Sequence, residues 1–225
     1  MLTKEELKDI YEKRYTIVSQ DHSVREIAQY RKYFKVLLNW DSSSCADRHY
    51  LDLGCGLGAK TVGFNNGFNA VKAVDLSEKA IANCRNKFSE ERIEWVSGDA
   101  MAVPGKYELI TAFGFSLFNT PDNQEFVSNV GHIIRQNLSE RGGVMIVGSF
   151  TDLSGSGDSW YMHSHNDLIE IQNRLETEHT VKVEVIFPHR GFLNYFSGGL
   201  LDLIAELRKL VLTRRRNFFI KIVHG

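Results

Sequence analysis

The chain has 225 residues, 43% hydrophobic and 24% charged, with a formal net charge of −1. That composition builds one α/β domain with a core large enough to fold without disulfides or metals, and its balance argues against nucleic-acid binding through bulk charge, though not against a local basic patch. Three scattered cysteines, Cys45, Cys55 and Cys84, make neither a disulfide framework nor a zinc cluster and suit a reducing, cytoplasmic setting; the charged start is no signal peptide, and no run of about twenty apolar residues spans a membrane.

Thr3 and Glu6 have capping-box spacing, and Leu7, Ile10, Tyr11, Tyr15 and Val18 follow at near-helical intervals. A second helix is expected from Ser23 to Trp40, stopped by the polar run Asp41–Ser44. From His49 the pattern alternates strand and helix, as in a parallel sheet. Strands are expected at Tyr50–Leu53, Ala70–Val74, Ile93–Val96, Tyr107–Phe113 and Val144–Ser149. Between them, helices are expected near Gly58–Lys60, at Ser77–Phe88 and at Asn123–Leu138. A Gly/Ser-rich loop, Thr151–Ser159, leads to a helix at His165–Leu175, a strand at Val181–Val185, an apolar helix at Gly199–Leu212 and a last strand at Phe218–Val223.

The strongest signal is Leu51-Asp52-Leu53-Gly54-Cys55-Gly56-Leu57-Gly58. Glycines after a strand let the backbone turn sharply and approach a ligand without a β-carbon in the way. Alone the motif is weak, because Gly54-x-Gly56-x-x-Ala59 also satisfies the dinucleotide fingerprint. Asp52 sharpens it. An acid in a strand buried on both faces needs a donor, and it suits a ligand's ammonium better than a pyrophosphate. Asp75 ends the next strand, where a carboxylate can take both ribose hydroxyls. Gly98-Asp99-Ala100 follows the third strand, within reach of an adenine amino group.

This series resembles the motifs of the class I S-adenosylmethionine-dependent methyltransferases over residues 50 to 150. The resemblance implies an α/β Rossmann-like fold: a mostly parallel seven-stranded sheet with an antiparallel last strand, helices on both faces and an N-terminal helical cap. It implies S-adenosyl-L-methionine as cofactor, with Gly54, Gly56 and Gly58 shaping the methionine pocket and Asp52 near the amino group. Asp75 would bind the ribose, Asp99 and Ala100 the adenine edge, and Leu76 the adenine face, with Phe113 and Gly114 bordering the sulfonium. One domain over 1–225 is expected: a cap over 1–45, a cofactor half over 46–150 and an acceptor half over 151–225.

The acceptor is less legible. Phe113-Gly114-Phe115-Ser116-Leu117-Phe118-Asn119 lacks the Asn/Asp-Pro-Pro-aromatic motif of amino-group DNA methyltransferases, and the Pro-Cys pair of the cytosine-C5 enzymes is also missing. No specific nucleic acid is expected as partner. A small molecule, a sugar of a glycoconjugate or a lipid is the expected acceptor class, methylated on oxygen or nitrogen. Trp160, Tyr161, His163 and His165 follow the Gly/Ser-rich loop, where an aromatic pair closes over an acceptor and either histidine serves as base; packing of the loop is the plainer reading. Asn119 is a substrate candidate but more often a turn former. His189 and Tyr195 are weaker candidates, and Tyr11 and Tyr15 are expected to pack helices rather than line a pocket. No metal is called for.

After Glu206 the chain carries Arg208, Lys209, Arg214, Arg215, Arg216 and Lys221 and no acid. An apolar helix flanked by cations can rest on an anionic membrane surface; a packed helix with a solvated basic end is favoured. Two rival functions stand beside the methyltransferase: a module of the same fold that binds cofactor without turnover, and an NAD-type oxidoreductase. The sequence does not speak to oligomeric state.

Overall fold

The computed structural model describes residues 4–17, 23–38, 40–157, 160–188 and 216–225. Two N-terminal helices, α1 (Lys4–Ile17) and α2 (Ser23–Leu38), precede a one-turn helix, α3 (Ser42–Cys45). The Asp41–Ser44 run thus does more than stop α2. Asp41 caps the new turn by accepting the Ser44 N–H at 2.7 Å. Strand and helix then alternate: β1 (His49–Leu53), α4 (Ala59–Phe64), β2 (Ala70–Asp75), α5 (Glu78–Lys87), β3 (Ile93–Ser97), β4 (Leu109–Phe113), α6 (Asn123–Asn137), β5 (Val144–Thr151), α7 (His165–Glu178), β6 (Val181–Ile186) and β7 (Arg216–His224). Side-chain caps set the helix starts, Ser77 for α5, Asp122 for α6 and a Ser164–Asp167 capping box for α7.

The seven strands form one sheet in the order β3-β2-β1-β4-β5-β7-β6. β1 to β5 pair in parallel, and β7 runs antiparallel to both β5 and β6. The expected architecture is present, with the reversed strand inserted between β5 and β6. Alternation along β1 divides the core. Leu51 and Leu53 join the cluster under α6 and α7, while Tyr50 joins the opposite one with Phe34, Leu37 and Phe64 from α2 and α4. Packing of α2 on α4 and α1 on α5 makes the helical cap. The strand order switches at β1 and β4, so their carboxyl ends open the crevice where such sheets bind ligands.

Several expectations fall on residues outside the described ones: the Thr3 cap, Val18, the Gly199–Leu212 helix, His189, Tyr195 and the cations Arg208, Lys209, Arg214 and Arg215. Arg216 and Lys221 belong to β7 and not to a helix end. Among the described residues no helix is long and apolar enough to cross a membrane.

Candidate functional site

β1 ends at Leu53 and the chain turns through Gly54, Gly56 and Gly58, with φ of +71°, +53° and +79°. These are values that a side chain makes costly. The Gly54 and Cys55 N–H groups donate to the Val74 carbonyl at 2.8 and 3.1 Å, fastening the turn to the end of β2. Asp75 completes the fastening. Its Oδ2 accepts the Gly56 N–H at 2.8 Å and its Oδ1 the Ser77 N–H at 2.9 Å. Burial raises its pKa and the two backbone N–H groups oppose the rise. Each oxygen keeps a further lone pair for a ligand hydroxyl.

A cavity of about 70 Å³ opens beside this turn. Gly54, Asp75, Leu76, Asp99, Ala100 and Gly114 line it, six of the ten residues expected to hold cofactor. Asp99 also caps the short 3-10 turn after β3, accepting the Met101 N–H at 3.0 Å. Three side chains from α1 cover the cavity: Leu7, Tyr11 and Tyr15. Both tyrosines therefore line the pocket, against the expectation that they only pack helices; they stack on each other with centroids 6.0 Å apart. The sequence reading missed Phe115, whose ring lies 2.6 Å from where a β-carbon on Gly54 would stand.

The other four expected residues lie elsewhere, each for a physical reason. Asp52 is 1% exposed and lines neither cavity described here. Its carboxylate accepts the Thr61 hydroxyl at 2.5 Å and the Thr111 hydroxyl at 2.7 Å, and Tyr50 in turn reaches Thr111 at 2.8 Å. Burial lifts its pKa to about 6, with the two threonine hydroxyls pulling it back. Gly56 faces Tyr15, and a β-carbon on Gly58 would strike Trp95 and Cys84. Gly58 thus lets α4 and α5 close together. The Phe113 ring packs between Tyr30 and Phe219, centroids 5.1 and 5.9 Å away, on the side of a second cavity.

That second cavity, about 640 Å³, lies beyond the ends of β4, β5 and β7. Its apolar wall is Tyr30, Phe113, Phe150, Trp160, Met162 and Phe219, and its polar groups include Lys60, Ser149, Asp152 and Asn217. Phe150 and Trp160 stack at 5.6 Å and 15°, with the Trp160 N–H donating to the Ser149 hydroxyl at 3.2 Å. Gly114 lines both cavities.

Of the loop candidates, only Trp160 reaches this cavity. Tyr161 donates its hydroxyl to Asp167 at 2.9 Å. Asn119 grips the Tyr161 backbone from both sides, donating to its carbonyl at 2.8 Å and accepting its N–H at 2.9 Å, which uses the amide to hold the loop. His163 is 1% exposed, ringed by Phe126, Tyr161 and Phe218, and neither ring nitrogen has a hydrogen-bond partner. Burial lowers its pKa. It sits in the core and lines neither cavity. His165 is the exposed first residue of α7 and lines neither cavity. No spacing signal in the sequence marked Lys60, Asn217 or Phe219, because the sheet brings them together from positions more than 150 residues apart.

Residues 51–137 match the family model described as a methyltransferase domain. Among solved structures the chain is similar to magnesium protoporphyrin IX methyltransferase from Synechocystis PCC 6803 with bound SAM, with a TM-score of 0.62 and 13% identity, covering 100% of this chain and 99% of that one. It is similar to the plantazolicin methyltransferase BpumL in complex with SAH, with a TM-score of 0.58 and 14% identity, covering 98% and 90%. It is also similar to geranyl diphosphate C-methyltransferase from Streptomyces coelicolor A3(2), with a TM-score of 0.59 and 13% identity, covering 88% and 80%. At these identities the likeness is one of fold. None of the proteins with curated functions matches the sequence.

Proposed function

We propose that this chain, which has the fold of the class I S-adenosylmethionine-dependent methyltransferases and carries their domain over residues 51–137, methylates a small molecule. The observation that carries the reading is Gly114: with no side chain to separate them, it borders the smaller, acid-lined cavity and the larger aromatic one. The lining of the first suits S-adenosylmethionine by donor chemistry, and its volume of about 70 Å³ requires the Leu7, Tyr11 and Tyr15 side chains of α1 to give way for the whole cofactor to enter. Asp75 offers both oxygens to ribose hydroxyls, Asp99 accepts from the adenine amino group, Leu76 covers the adenine face, and the Gly54–Gly56 backbone admits the methionine end. When bound, it supplies a methyl group on positively charged sulfur.

The chain's own task is then positioning. It must hold an acceptor atom about 3 Å from that methyl and in line with the leaving sulfur, in a site closed to water. The larger cavity, with aromatic and polar walls together, suits an acceptor of modest size, with Phe113, Trp160 and Phe219 excluding water. Asp52 acts at a distance, bracing β1, β4 and α4 through its threonines so that the glycine turn keeps its shape.

Calorimetric titration tests this directly. S-adenosylmethionine and its demethylated product are expected to bind at micromolar levels and NAD not at all. Binding of NAD alone would assign the oxidoreductase instead. Cofactor binding without labelled methyl transfer to any member of a small-molecule panel would leave a binding module.

A further inference from the structure

We propose that the acceptor is a planar aromatic carboxylic acid, and that Lys60 holds its carboxylate at the junction of the two cavities. The proposal rests on the reading that the smaller cavity takes the cofactor and the larger one the acceptor.

Position comes first. The Lys60 Nζ lies 3.8 Å from where a β-carbon on Gly114 would stand, and Gly114 is the residue both cavities share. The cation therefore stands where the methyl must cross. Its donors come second. An ammonium carries three N–H bonds. Lys60 gives one to the Phe113 carbonyl at 3.2 Å and stands 6.0 Å over the Tyr30 ring. Among the described residues it makes no ion pair. Asp52 is near enough to feel its charge but forms no ion pair with it. A half-buried cation with donors to spare is paired best by an anion on a ligand.

The walls come third. Phe113, Phe150, Trp160 and Phe219 enclose the cavity, and the Phe150–Trp160 stack presents flat aromatic surface to a planar ring. Fourth, among the described residues no histidine lines the cavity: His163 is in the core and His165 faces outward. The acid that lines it, Asp152, accepts the Ser154 N–H at 3.0 Å. An alcohol or amine acceptor must lose a proton to some base, whereas a carboxylate is ionised at neutral pH.

The step balances without a base. One carboxylate oxygen gives an electron pair to the methyl carbon while the carbon–sulfur bond breaks with its pair to sulfur. A methyl ester and a neutral thioether result, and no proton is released. Lys60 holds the other oxygen. Because the carboxylate charge disappears along the reaction, this contact favours binding and alignment and raises KM when lost, more than it lowers kcat.

The test uses 2-naphthoate and its neutral match 2-naphthamide, titrated into the full chain saturated with S-adenosylhomocysteine, whose own affinity is measured first. The acid is expected to bind at least about tenfold tighter than the amide, the scale of one charge-assisted hydrogen bond. Lys60→Met is expected to abolish that preference with amide and S-adenosylhomocysteine affinities unchanged, and Lys60→Arg to retain it. Product formed from the acid with labelled methyl should release volatile methanol in alkali. An acid that binds no better than its amide, or not at all, overturns the proposal. So does a preference for 2-naphthol with one proton released per turnover and loss in Asp152→Asn. S-adenosylhomocysteine failing to bind while the Lys60-dependent preference persists overturns the cofactor reading and not the anion site.

Discussion

The Tyr15 hydroxyl lies 2.8 Å from where a β-carbon on Gly56 would stand. Helix α1 is therefore seated directly on the glycine turn. Its surface ties to α5 are weak ones: Lys8 to Glu78 at 2.7 Å, and Lys79 to Glu12 at 3.9 Å. The tyrosines, more than the ion pairs, set how α1 covers the smaller cavity.

Gly56→Ala places a methyl group at φ +53° against Tyr15. It should cost about 1–2 kcal/mol of stability from the left-handed backbone and weaken S-adenosylmethionine binding as well. Combining it with Tyr15→Ala should recover part of the affinity and none of the backbone cost. Denaturant melts and calorimetry read the two separately, and wild-type affinity in the single variant would place the ligand away from this turn.

Asp75→Asn leaves one oxygen where two accept backbone N–H groups. S-adenosylmethionine affinity should fall by about 1–3 kcal/mol, the scale of a charged hydrogen-bonding group lost, with a smaller loss of stability as the Gly56 or Ser77 N–H goes unpaired. An affinity unchanged in calorimetry would end the ribose assignment.

Asp52 gives a stability term that falls as pH rises. Burial raises its carboxyl from 3.8 to about 6. Between those values the folded state keeps a proton that the unfolded state has lost, so this contribution is full below about pH 4 and declines through pH 6. At about 1.4 kcal/mol per tenfold, the total is on the order of 3 kcal/mol. Asp52→Asn should cancel the trend, gaining on the wild type as pH goes from 4.5 to 7 in urea melts. Parallel pH profiles for the two proteins would contradict the raised pKa.

His163 works in the opposite sense. Burial lowers its pKa below the 6.5 of the unfolded chain, so the unfolded chain takes up a proton more readily and stability is lost as pH falls below that value. His163→Phe adds a ring to the Phe126–Tyr161–Phe218 cluster and removes two orphaned nitrogens. It should match or exceed wild-type stability at pH 5, with turnover retained. Turnover lost in a well-folded variant would return His163 to the candidate bases.

Residues near in sequence could be read; those joined by the sheet could not. Asp75, Leu76 and Asp99 stand at fixed offsets from strand ends, and strand ends are visible as breaks in an apolar run. Asp52 shows the limit. A buried acid needs a donor, but the sequence does not say whether a ligand or two threonines, nine and fifty-nine residues away, provide it. Histidine at the start of a loop-to-helix segment suggested chemistry, yet facing differs two residues along the chain, with His163 turned inward and His165 outward. Lys60 carries no sequence signal of its own; the fold gives it a place by setting its Nζ beside Gly114.

The insertion of β7 between β5 and β6 also sets an order of assembly during synthesis. Every described residue lining the smaller cavity has been made by Leu117, so that half can take shape while the rest of the chain is still emerging. Among the described residues β6 has no neighbour in the sheet other than β7, and β5 keeps a bare apolar edge until residues 216–224 arrive to pair with it. Asn217 and Phe219, which close the larger cavity, come with the same strand. A nascent chain thus passes through a stage with the smaller cavity's lining residues made but the larger cavity unfinished, and with a sticky edge that invites premature pairing. Growth conditions that slow synthesis of the final strand should raise aggregation before they touch cofactor binding.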